Sequence, residues 1–176
     1  QQLEWARLVH KYTGGQVIIL APLAVAHQTI SEGAKLGIAV VYCKDQSQVG
    51  NHPIVITNYD RLHLFDMDAF GGVVLDESSM LRSIGGARKW AVMKAFAGVQ
   101  YKLCCSATPA PNDRSEYAQH AVFLDQVRAT KEYLTAYFRN DGHGNWEFKT
   151  HGFDAWVANL ASWAVYMHDP ARWGFD

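Results

Sequence analysis

Apolar residues fall at helical spacing at the start of the chain. Leu3, Ala6, Leu8, Val9 and Tyr12 form one stripe that stops at Gly14-Gly15, so a helix ending there is expected. The period then changes. Gln16 to Ala21 (QVIILA) is short, β-branched and almost wholly apolar, as a strand buried on both faces should be. Pro22 ends it, and a helix is expected from Val25 to Lys35. Ile38 to Tyr42, Ile54 to Thr57, Phe70 to Asp76 and Tyr101 to Ser106 repeat the buried-strand pattern, with a helical stretch around Ala87 to Phe96 between the last two. Buried strands separated by helices predict an α/β fold, a parallel sheet with helices on both faces.

Beyond Pro109 and Pro111 the pattern is different. Glu116 to Phe138 reads as mostly helical. Asn140-Asp141-Gly142, flanked by Tyr137-Phe138 and Trp146-Glu147-Phe148, predicts a small hairpin. Phe153, Trp156, Leu160, Trp163 and Met167 then follow helical spacing up to Asp169-Pro170. The expected organisation is a sheet-bearing unit over 1–112 and a mostly helical extension with a hairpin over 113–176. No internal repeat or low-complexity segment is visible.

Composition narrows the function. With 49% hydrophobic and 19% charged residues in 176, the chain can bury a core. Its 16 basic and 17 acidic residues leave a formal charge of −1, which excludes a polybasic or polyacidic protein. The longest apolar run, Val17 to Ala26, is far shorter than the ~20 residues of a membrane span. No signal-peptide pattern opens the chain. Its three cysteines include an adjacent pair, Cys104-Cys105, whose side chains would point to opposite faces of a strand, so core thiols in a reducing cytoplasm are expected. The eight histidines are scattered, and His143 and His151 read as surface or hairpin residues.

Candidate chemistry lies where the strands end, the edge at which open α/β sheets bind ligands. Asp76-Glu77 leaves a buried strand there. An Asp in that place can hold Mg²⁺, and the next Glu can orient or deprotonate a water that attacks a γ-phosphate. The plainer alternative is that Asp76 to Ser79 caps the following helix. Ser106-Ala107-Thr108-Pro109 ends another strand, as a phosphate-side pair of hydroxyls or as an ordinary turn. Ala21-Pro22-Leu23 and Thr57-Asn58-Tyr59-Asp60 end two more, with backbone N–H groups suited to nucleic-acid phosphates. The tryptophans at 146, 156, 163 and 173 could stack on bases, but their spacing favours packing of the extension. Arg82, Arg88 and Lys89 read as a solvated basic face, and Cys104 and Cys105 as core filling.

Taken in order, A-P-L-A-V, T-N-Y-D-R-L, V-V-L-D-E-S-S-M-L and S-A-T-P-A-P-N resemble motifs Ia, Ib, II and III of superfamily-2 helicases and translocases. D-E-S-S with the P-A-P-N-D tail is most similar to the phage-type branch related to Swi/Snf ATPases. W-E-F-K-x-H, A-S-W-A-V and D-P-A-R-W-G-F also resemble the segment that leads to the second lobe in that branch. The resemblance implies a RecA-like lobe of the P-loop NTPase type, with ATP and Mg²⁺ as cofactors and nucleic acid, in particular DNA, as partner. It implies Asp76 as the Mg²⁺-associated carboxylate, Glu77 as the water-activating residue, Ser106 and Thr108 as couplers of hydrolysis to lobe movement, and Pro22, Leu23, Thr57 and Asn58 along the nucleic-acid track. It also implies a bacterial or phage-infected cytoplasm.

The chain departs from that pattern in two respects, the phosphate loop and the second lobe. No G-x-x-x-x-G-K-[ST] occurs in it, so the lysine and backbone cradle for the β- and γ-phosphates are missing. The expectation is a fragment that lacks its phosphate loop and second lobe and does not hydrolyse ATP alone. Tyr101 to Ser106 should then lie at a sheet edge and favour self-association. The competing expectations are a non-catalytic nucleic-acid- or protein-binding module derived from such a lobe, and an unrelated α/β domain matching by chance.

Overall fold

A computed structural model of the chain describes residues 1–83 and 92–166. Its centre is β1 (Gln16–Leu20), whose last four residues are fully buried. On one side β1 pairs with β3 (Ile54–Thr57), which pairs with the two-residue β2 (Val41–Tyr42). On the other it pairs with β4 (Phe70–Asp76), which pairs with β5 (Tyr101–Cys105). All pairings are parallel and the order is β2-β3-β1-β4-β5, so all five carboxyl ends face one edge.

Alternation along the strands separates two cores. Val17, Ile19, Ile54, Ile56 and Val74 face Leu3, Ala6 and Val9 of α1 (Gln2–Thr13) and Ala26 of α2 (Leu23–Lys35). Ile18, Leu20, Val55, Val73 and Leu75 face the opposite way, against Tyr59, Leu81, Phe96 and Phe123. Two buried faces explain why the strand sequences are apolar throughout rather than alternating. Gly14 closes α1 in the left-handed region at φ 72, its N–H donating to the His10 carbonyl, as its place after the apolar stripe predicts.

One element differs from expectation and another is divided. Ile38 to Val40 are not in a strand, and only Val41–Tyr42 joins the sheet. The Ile38 N–H is committed to the Gly33 carbonyl (2.8 Å) at the exit of α2, so Ile38 and Val40 bury their side chains without entering a ladder. The stretch 116–138 is mostly helical, as expected, and is divided into two helices, α4 (Tyr117–Phe123) and α5 (Thr130–Tyr137), after the short α3 (Met80–Ser83). Asp125 takes φ 57, and the N–H groups of Asp125 and Gln126 reach back to Val122 and Ala121. That is a Schellman ending with Asp in the place usually held by glycine.

The expected hairpin is present as β6 (Phe138–Asn140) paired antiparallel with β7 (Trp146–Phe148). It packs with α4, α5 and α6 (Phe153–Trp163) around an aromatic core of Tyr133, Phe138 and Trp156, onto which Trp146 and Trp163 also pack. Trp156 Nε1 donates to Tyr133 Oη at 2.8 Å. The Arg114 guanidinium lies over the rings of Phe148, Phe153 and Trp156 at 5.1–5.7 Å. Met167, Asp169-Pro170, Trp173, the D-P-A-R-W-G-F segment, Arg88, Lys89 and most of the helical stretch expected from Ala87 lie outside the described residues, as does the side chain of Arg82. Among the described residues no helix is long and apolar enough to cross a membrane.

Candidate nucleotide and nucleic-acid edge

The parallel order carries the ends of β1, β3, β4 and β5 to one edge, and with them all four sequence segments. Asp76, the last residue of β4, is half-buried. Its Oδ1 accepts from the Glu77 N–H (3.1 Å) and its Oδ2 from Gln2 Nε2 (3.3 Å). The Oε1 atom of the same Gln2 amide is buried without a hydrogen-bond partner. A buried orphan carbonyl oxygen costs free energy unless something occupies it. Here it belongs to the amide that touches the Asp76 carboxylate.

Glu77 has φ 51, a conformation uncommon for a residue with a side chain. The strand ends there and the chain turns, with the Met80 N–H donating to the Glu77 carbonyl (2.9 Å) to start α3. The backbone of this segment thus leads into α3, while the Asp76 carboxylate is bonded to Glu77 and Gln2. Tyr59 Oη donates to the Asp76 carbonyl at 2.6 Å, and its phenol is pushed well above the ordinary range, mainly by burial. Sequence spacing gives no sign of this tie from the segment after β3 to the end of β4, although Tyr59 stands in the T-N-Y-D run.

Ser78 follows Glu77 and is buried. Its N–H donates to the Cys105 carbonyl (2.9 Å) and its Oγ lies 3.1 Å from His120 Nε2 of α4. The turn after β4 is thus tied both to β5 and to the extension. Burial, reinforced by Cys105, pushes the Cys104 thiol far up. Burial and the Asp76 charge raise Cys105 to about 11, so neither is a ready nucleophile.

Ser106 and Thr108 lie beyond β5, where the Thr108 N–H donates to Ser106 Oγ (3.1 Å). The pair closes its own turn and does not bond to Asp76 or Glu77. Pro22 opens α2, and Leu23 is 53% exposed beside it. Asn58 Oδ1 accepts from the Arg61 N–H (3.1 Å), starting a short 3₁₀ segment. Thr57 lies deeper than the other three. It is fully buried, with its hydroxyl unpartnered and its carbonyl accepting from the Ala21 N–H, so its side chain lies beneath the edge.

Neither a known family's sequence profile nor a curated protein matches the chain. Among solved structures it is similar to the SWI2/SNF2 ATPase core of Sulfolobus solfataricus in complex with dsDNA, with a TM-score of 0.66 and 16% identity over 94% of this chain and 37% of that one. It is also similar, at a TM-score of 0.46 and 18% identity over 65% of this chain and 41% of the other, to a hypothetical ATP-dependent RNA helicase from Sulfolobus tokodaii. The likeness to the first is one of fold, a RecA-like α/β lobe, and the chain spans about a third of that protein's length.

Proposed function

We propose that the chain is the first RecA-like lobe of an ATP-dependent nucleic-acid translocase or helicase, of the phage-type Swi/Snf-related branch and working on DNA. One juxtaposition carries the reading. Asp76 and Glu77 stand at the carboxyl edge of a parallel sheet, beside the ends of β1, β3 and β5, in a fold shared with an ATPase core solved on dsDNA. The oxygens present suit Mg²⁺, which prefers hard oxygen ligands: the Asp76 carboxylate stands at the edge, and the Gln2 amide that donates to it carries an unpartnered Oε1. In this reading Asp76 would hold the ion, which when bound offsets the charge of phosphate oxygens.

Glu77, turned out of the strand line, would orient a water and accept its proton. Ser106 and Thr108 would relay the state of the edge toward a second lobe. Pro22, Leu23 and Asn58 would meet phosphates of the nucleic acid, with Thr57 holding them from below. The 176 residues contain no G-x-x-x-x-G-K-[ST], so in this reading the loop that holds the β- and γ-phosphates, like the second lobe, would be supplied from outside them. The chain alone is then expected to show no measurable ATP hydrolysis.

The test is Glu77→Gln in the full natural protein that carries these residues. Removing a positioned general base should lower nucleic-acid-stimulated kcat by about 10²–10⁴-fold while nucleotide still binds. Unchanged turnover would overturn the catalytic assignment. A second reading, a binding platform without catalysis, is favoured by the missing phosphate loop; it expects a full protein with no ATPase for Glu77→Gln to remove.

A further inference from the structure

Between residues 113 and 166 the chain carries seven carboxylates against five Lys and Arg side chains. One cleft departs from that balance. It has a volume of about 630 Å³ and runs between α5 and the β6–β7 hairpin, lined by Lys131, Arg139 and Lys149 and by no carboxylate. Trp146, half-buried, packs one part of its ring on the aromatic core and leaves the remainder to the same cleft. Three of the five cations therefore share one groove with an indole.

The three cations are placed differently. Lys149 Nζ donates to the carbonyls of Thr135 (2.8 Å) and Ala136 (3.2 Å), which fixes it over the end of α5. An ammonium has three N–H donors, so one remains for a ligand. Arg139 pairs with Glu147 at 2.7 Å, but both side chains are largely exposed, and such a pair yields readily to a phosphate. Lys131 makes no ion pair among the described residues.

We infer that this groove binds a single nucleic-acid strand, its phosphates on Lys131, Arg139 and Lys149 and an unpaired base against Trp146. The inference rests on the reading that the chain works on nucleic acid, and adds a contact away from the sheet edge. Cations tracking a backbone beside a stacking surface are what sequence-independent single-strand binding requires. An acidic peptide would satisfy the cations and leave the indole without a stacking partner.

The experiment is fluorescence anisotropy of a labelled oligothymidylate titrated with the whole chain at several salt concentrations. Lys131 and Arg139 are exposed, so the double variant K131E/R139E should fold normally. It should bind about tenfold more weakly or worse at low salt, with the salt slope shallower by about 0.7 for each phosphate no longer neutralised. Trp146→Leu should weaken binding severalfold with the salt slope unchanged. Equal binding by wild type and K131E/R139E would overturn the inference, as would no binding by wild type or displacement of the oligonucleotide by polyglutamate at equal charge. The Glu77→Gln assay reads the sheet edge in the full protein and does not involve this groove, so either proposal can fail without the other.

Discussion

His120 and Ser78 stand 42 positions apart, yet their buried side chains meet at 3.1 Å and join the turn after β4 to the extension. Burial keeps the imidazole neutral and pushes its pKa below the ordinary 6.5, outweighing Glu116, which pulls the other way; the Tyr117 ring packs alongside. As pH falls through about 6.5 the unfolded chain takes up this proton before the folded one does. Stability, fully present above that pH, is therefore lost on acidification toward the lower folded value. The melting temperature of wild type is expected to drop more between pH 7 and pH 5 than that of His120→Gln, and equal drops would show that His120 does not carry the effect. No motif spacing points to this pair, because the contact exists only once α4 folds back over β5. Thr57 shows the converse: it reads as the last residue of a buried strand, and the ladder keeps it inside.

At the scale of elements, legibility follows burial. QVIIL, IVIT and FGGVVLD are readable as strands because both faces are covered, which leaves β-branched and apolar runs with little polar interruption. The same criterion fails at Ile38 to Val40, since apolar character reports burial and does not report which carbonyl takes the N–H. The break in 116–138 is hidden for a related reason: Asp125 ends α4 without the glycine or proline that would mark it. The tight exit of α2 makes a prediction of its own. A Cβ on Gly33 would sit 2.7 Å from the Ile38 carbonyl oxygen, a backbone atom with no rotamer to yield. Gly33→Ala should lower stability by about 1–3 kcal/mol through overpacking, despite the gain of ~1 kcal/mol in helix propensity. Gly98→Ala, whose Cβ would meet only Asp68 Oδ1 at 3.5 Å, should be close to neutral in the same urea titration.

For the whole molecule, the sheet order leaves β5 at an edge, as the sequence implies, with all five of its residues only half-buried. Among the described residues no strand pairs along its outer side. An open edge invites pairing with another chain, so sedimentation velocity should show association that grows with protein concentration. A single monomeric boundary at every concentration would show that the edge is adequately shielded. The opposite position, that of β1, has a consequence for how the protein is made. Its most apolar strand needs β3 and β4 on its two flanks, and β4 ends only at Asp76, more than fifty residues after Leu20. At ~5–20 residues per second, QVIIL waits on the ribosome for on the order of 3–10 s before its second neighbour exists. The strand that organises the finished sheet is during synthesis the segment most in need of a chaperone.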